Sequence, residues 1–122
     1  MNKLIANKYD YDFQNDSVFF YSEGNQYMSS VEVNGIIIDF SEKDNLMGLE
    51  ILDASSKFQV SKSELLKIKH FDATININKE NIIVSMKLVI EKRNQLFDRC
   101  LEATTINSMN LPSGTQEIAV TC

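Results

Sequence analysis

Apolar and polar residues alternate along most of this chain, the period-two pattern of half-buried strands. Val18-Phe19-Phe20-Tyr21 opens it as a β-branched and aromatic run behind the turn-like Gln14-Asn15-Asp16. Ser22-Glu23-Gly24-Asn25 breaks the run. Residues 27–33 then alternate and stop at Asn34-Gly35, a strong two-residue hairpin signal because both positions tolerate positive φ. Residues 36–40 return, the polar segment 41–45 turns again, and residues 46–52 complete an expected four-strand meander. Gly24, Gly35 and Gly48 fall where a turn or bulge would want them.

One helix is expected to interrupt the strands. Ser61 and Glu64 form a Ser-x-x-Glu capping box, with Val60 and Leu65 placed as its hydrophobic staple. Leu65, Leu66 and Ile68 give it an apolar face, and Lys67 and Lys69 suit its C-terminal end. Strands then resume over 73–77, 82–91, 96–106 and 117–120, separated by polar turns at 78–81 and 92–94 and by the loop Asn110-Leu111-Pro112-Ser113-Gly114. Within 96–106, Phe97, Leu101 and Ala103 share one face while Asp98 and Glu102 share the other. The fold class expected is α+β and mostly antiparallel β, with two meander sheet segments joined by one short helix. Nothing resembling a linker separates the halves. The reading is one domain over 1–122, made of an N-terminal meander at 9–56, a helix at 57–70 and a C-terminal meander at 71–122.

Three stretches resemble the family catalogued as domain of unknown function 2283. They are Tyr9-Asp10-Tyr11-Asp12-Phe13 with Asp16-Ser17-Val18-Phe19-Phe20-Tyr21; residues 31–40, with Gly35 before Ile36-Ile37-Ile38-Asp39; and Gly48-Leu49-Glu50-Ile51-Leu52-Asp53-Ala54-Ser55. The family pattern has a proline after the first tyrosine-aspartate, where this chain has Tyr11. The C-terminal half is similar to the longer, mostly archaeal members. The resemblance implies no established activity. It does imply a partner-binding or antitoxin-like role, since some members lie beside genes for small toxin-like proteins.

Composition narrows the function classes. Of the 122 residues, 43% are hydrophobic and 24% charged, values of an ordinary globular domain with enough apolar side chains to form a core without a staple. The net charge of −5 is uneven: residues 1–60 hold ten acidic and four basic side chains, residues 61–122 seven and eight. An acidic first half repels phosphate backbones, so direct nucleic-acid binding is disfavoured. The C-terminal half can still hold a small basic patch at Lys92, Arg93 and Arg99, with a solvated hairpin as its plain explanation. The two cysteines provide no disulfide framework; Cys100 reads as a small core residue and Cys122 as an exposed one. No apolar run has signal-peptide form or the roughly 20 residues that span a bilayer. The expectation is a cytoplasmic protein without a membrane role.

Candidate chemistry is thin. Asp39, Glu42, Asp44 and Asn45 offer oxygen ligands, but an EF-hand loop begun at Asp39 puts Lys43 and Asp44 at a ligand and the required glycine. His70 needs an orienting carboxylate, which Asp72 supplies only if strand alternation puts both on one face. Asp39 and Glu50 share a face if their strands pair, and paired carboxylates in a cleft can run acid–base chemistry. Cys100 has no nearby histidine in sequence, and the four glycines never cluster into a phosphate loop. No cofactor and no metal site is expected. The leading expectation is a non-enzymatic binding or assembly module that recognises a protein partner or itself. The alternative is a small hydrolase-like enzyme, or an ion or small-molecule binder, using Asp39, Glu50 or His70. Residues 82–90 are apolar on both faces apart from Ser85 and Lys87, so Ile83 and Val89 are candidates for a homodimer surface.

Overall fold

A computed structural model describes residues 2–6, 8–22, 29–41 and 45–121. Among them run β1 (Asn2–Ile5), β2 (Lys8–Asp12), β3 (Ser17–Tyr21), β4 (Ser29–Val33), β5 (Ile36–Phe40), β6 (Leu46–Ile51), α1 (Ala54–Phe58), α2 (Lys62–Leu65), β7 (Ile68–Ile77), β8 (Asn81–Lys92), β9 (Gln95–Ile106) and β10 (Gly114–Thr121). The strands form two five-stranded sheets, ordered β2-β3-β6-β5-β4 and β1-β10-β7-β8-β9. Every described pairing is antiparallel except β1 with β10. The α+β, mostly antiparallel class is therefore what the molecule adopts.

Alternation in the sequence becomes burial. Ile36, Ile38 and Phe40 of β5 turn inward, as do Ile82, Val84, Met86, Leu88 and Ile90 of β8. The two inner faces meet in one apolar cluster drawn from both sheets. At its centre Phe20 of β3 and Phe71 of β7 stack across the gap, with ring centroids 3.9 Å apart and planes 5° from parallel. Asn34-Gly35, at φ 50° and 83°, makes the expected tight hairpin. Arg93-Asn94, at φ 54° and 62°, repeats it between β8 and β9.

Three long-range choices depart from simple meanders. β6 inserts between β3 and β5, so β3 and β4 are not neighbours. β10 returns to β7 instead of β9, and β1 crosses from the N-terminus to close the C-terminal sheet. The helical region also differs. The capping box forms in full, with Ser61 Oγ accepting from the Glu64 N–H and Glu64 accepting from the Ser61 N–H. Yet α2 has only four residues, because Ile68 already begins the alternation that pairs β7 with β8. A separate helix, α1, precedes it. The expected starts and bends at Gly24, Tyr27, Glu42 and Asp44, and the exposure expected for Cys122, lie outside the described residues. No helix among the described residues is long and apolar enough to cross a membrane.

Candidate functional site

Register decides where each candidate side chain goes. Asp39 lies opposite Gly48, and Glu50 opposite Ile37. The two carboxylates are thus diagonal neighbours on the outer face of the N-terminal sheet, as their expected pairing required. Asp39 accepts a hydrogen bond from Ser30 Oγ at 2.6 Å. Phe19 and Tyr21 stack beside them at 4.6 Å, and a Cβ at Gly48 would come within 3.2 Å of the Phe19 ring. Glycine here lets an aromatic ring lie flat on the strand.

His70 occupies the opposite exterior of the sandwich, in β7. Alternation does put Asp72 beside it, with His70 Nε2 3.1 Å from an Asp72 carboxylate oxygen and Nδ1 3.4 Å from Thr121 Oγ1. A cavity of about 270 Å³ adjoins the pair and is lined also by Thr74 and Glu117. The carboxylate that would orient His70 is present, but Asp39 and Glu50 are a full sandwich away. Cys100 lies across β8 from that strand, in the row Asp72–Lys87–Cys100, so no Cys–His pair forms. It is also exposed, which corrects the core reading: it shares the outward parity of Asp98 and Glu102. Ile83 and Val89 sit half-buried on this same outer face. Ile83 is flanked by Asn76 and Thr104, and Val89 by His70 and Asp98. No group of three or more metal-binding side chains occurs among the described residues.

One carboxylate escaped the sequence reading. Asp16, buried at the β2–β3 turn with φ 55°, accepts from Tyr11 Oη at 2.7 Å, from Ser55 Oγ at 2.6 Å and from the Ser55 N–H at 3.1 Å. Its own carbonyl accepts from the Ala54 N–H at 2.9 Å. Desolvation pushes its pKa up, but the hydrogen bonds from Ser55 and Tyr11 outweigh it and hold the carboxyl below the usual range. Tyr11 is raised in turn, first by desolvation and then by its bond to Asp16. Asp53 at the start of α1 makes no side-chain cap, so Asp16 caps that helix from across the fold. The network is an architectural clamp, and no local sequence pattern announces it.

The remaining feature is the free side of β9. In a two-residue hairpin the residues flanking the turn, Lys92 and Gln95, form a hydrogen-bonded pair. Leu96, Asp98, Cys100, Glu102 and Thr104 therefore point their N–H and C=O groups away from β8. Two of these carbonyls are taken by side chains: Thr104 O accepts from Asn34 Nδ2 at 3.3 Å, and Asp98 O from Arg99 Nη1 at 3.0 Å. Leu96 and Phe97 remain 65% and 37% exposed. On the inward side, Glu64 of α2 joins Lys92, Arg93, Gln95, Phe97 and Arg99 around a cavity of about 250 Å³. Lys92 is paired with Glu64 at 3.6 Å. The small basic patch of the sequence is thus gathered at one end of this strand.

Comparison with known proteins finds the family described as "Protein of unknown function (DUF2283)" matching residues 8–55. A Methanosarcina mazei protein bearing the name "Putative hypoxanthine phosphoribosyltransferase" is 48% identical over 97% of this chain and 96% of its own. An uncharacterized protein of Methanocaldococcus jannaschii is 34% identical over 88% and 93%. Both alignments run through the C-terminal sheet, which the family match does not reach. No solved structure matches.

Proposed function

The chain belongs to the DUF2283 family of proteins of unknown function, and from that premise we propose that it is a non-enzymatic binding module which takes up a protein strand along β9. The observation that carries this reading is the outward row of backbone groups on a twelve-residue edge, with Leu96 and Phe97 exposed beside it. An edge of this length either is blocked or pairs with another strand, and strand addition is a common mode of peptide recognition. An antitoxin-like role would be one form of it. Ile83 and Val89 supply a second proposed contact, through which copies of the chain would associate by the outer face.

Transfer of a phosphoribosyl group, which the Methanosarcina mazei protein's name suggests, finds less support. Such a reaction needs backbone N–H groups clustered around a diphosphate. Here Gly35 serves a hairpin turn and Gly48 seats Phe19, and the two helices have five and four residues.

Asp98→Pro tests the strand-addition reading. It deletes an outward N–H while leaving the β8–β9 ladder intact, since only edge positions tolerate proline. With parent and variant as baits in extracts of the native host, the parent should retain a partner that the variant loses, at similar thermal stability. The same partners on both baits would defeat the proposal.

A further inference from the structure

Resting on the β9 reading, we infer that the incoming strand belongs to a different protein and carries an acidic side chain, which draws Arg99 off the edge it now blocks. Arg99 spends its guanidinium on the Asp98 carbonyl, one of the very groups a new strand must use. A guanidinium bonded to a neutral carbonyl gives way to a carboxylate, because a carboxylate brings opposite charge and two acceptor oxygens that match the guanidinium fork. Arg93 and Lys92 surround the same cavity, and Glu64 offsets only part of that charge. A strand lacking an acid would leave the latch closed.

Geometry sets the pattern of the partner. The inward residues Phe97, Arg99 and Leu101 would face it in non-hydrogen-bonded pairs, where opposite side chains come closest. The sequence that fits is apolar, any residue, acidic, any residue, apolar: the acid opposite Arg99 and the apolar side chains opposite Phe97 and Leu101. Asp98 disfavours a second acid at the adjoining outward position.

A second copy of the chain fits badly. A symmetric antiparallel pair through this edge is centred on one residue. Centring on Asp98 opposes Asp98 to itself, and centring on Arg99 opposes the two guanidinium groups. Centring on Cys100 sets Asp98 against Glu102 twice. Like charges directly opposite destabilise a sheet. A centre at Phe97 overlaps only residues 95–99, because the chain turns at Arg93-Asn94. A centre at Leu101 needs the Thr104 carbonyl that Asn34 already holds.

The test uses the full chain and short synthetic peptides with the core Val-Thr-Glu-Thr-Val or Val-Thr-Gln-Thr-Val, followed by amide NMR and hydrogen exchange. The glutamate peptide should shift and protect the amides of Leu96, Asp98 and Cys100 and bind about tenfold tighter than the glutamine peptide. Arg99→Gln should abolish that preference. Equal binding of both peptides, or a preference that survives Arg99→Gln, would overturn the acidic-partner inference while leaving strand addition intact. Neither peptide reaching those amides at millimolar concentration would sink both. A dimer in sedimentation with residues 96–102 protected would give the edge to a second copy instead.

Discussion

The two sheets contain equal numbers of strands but differ in length, and that difference separates architecture from recognition. Strands of the N-terminal sheet have five or six residues, whereas β7, β8 and β9 have ten, twelve and twelve. Each strand of the β8–β9 hairpin is therefore six residues longer than the longest strand of the N-terminal sheet, about 20 Å at 3.3 Å per residue. In the N-terminal sheet, the inward positions of β3, β5 and β6 are buried along their length and the β2–β3 turn is clamped by Asp16. In the C-terminal sheet, the inward positions of β9 begin as core at Ala103 and end as exposed Phe97 and Arg99. The turn end of the hairpin meets the α2 region, through the Lys92–Glu64 pair at 3.6 Å and the Glu91 N–H on the Lys67 carbonyl, and there the basic cavity and the latched edge lie.

The two sheets depend on each other directly where Phe71 meets Phe20. Phe71→Ala removes a ring that is fully buried and stacked on Phe20. It should cost about 3–5 kcal/mol, as large-to-small aromatic changes in cores do. Denaturant midpoints read by fluorescence and by far-UV circular dichroism should shift together. If one probe kept its transition while the other moved, the sheets would be separate cooperative units.

What the sequence disclosed followed from local physics. Asn34-Gly35, the Ser61–Glu64 box and the parity of β9 all depend on neighbours within a few positions, and all are realised. The parity even contradicted the core reading of Cys100, which shares its face with Asp98 and Glu102. The insertion of β6 beside β3, the return of β10 to β7 and the capping of α1 by Asp16 are contacts between distant segments. Alternation says that a strand has two faces, not which strand lies beside it. Of the candidate site, the basic residues were legible. Their gathering around Phe97 beside Glu64 was not, because it depends on α2 packing against the end of the hairpin.

A smaller effect is expected at the N-terminal clamp. Asp16→Asn loses the charge that accepts from Ser55 and Tyr11 and sets an N–H against one of those donors. A cost of about 1–3 kcal/mol follows from an unsatisfied buried group. The pH sign is fixed by the lowered folded-state pKa: the contribution is present above the unfolded value near 4 and is lost as pH falls through the folded value. Acid unfolding of the parent below about pH 4 should therefore be steeper than that of the variant. Superimposable acid profiles would remove Asp16 as the cause.

Between the sheets, Ser61→Ala should cost about 1 kcal/mol, the usual loss for an N-cap hydroxyl. Glu64 depends on the same box: its carboxyl is held below the usual range, first by the Ser61 N–H. Urea midpoints of parent and variant decide it. An unchanged midpoint would mean that packing of Leu65, and not the cap, holds this helix.

The smallest effect concerns the outer face of the C-terminal sheet, opposite the core side chains of β8. Val89 is half-buried there between His70 and Asp98, with Lys87 paired to Asp98 at 3.5 Å one row away. A lysine at 89 can lay its stem on the same strand surface and keep its ammonium in water, and Asp98 opposite supplies a favourable charge. Val89→Lys should therefore shift stability by no more than about 0.5 kcal/mol, as surface substitutions do. Its value lies in what else it reads. If Ile83 and Val89 form a contact between copies, the parent will sediment as a dimer at micromolar concentration and the variant as a folded monomer. A parent that is already monomeric, with a variant equally stable, would strike these two residues from the binding surface and leave the β9 edge. A variant that unfolds would show that this face is covered in the native state, and the contrast between a filled N-terminal sheet and an open C-terminal one would fail at its simplest point.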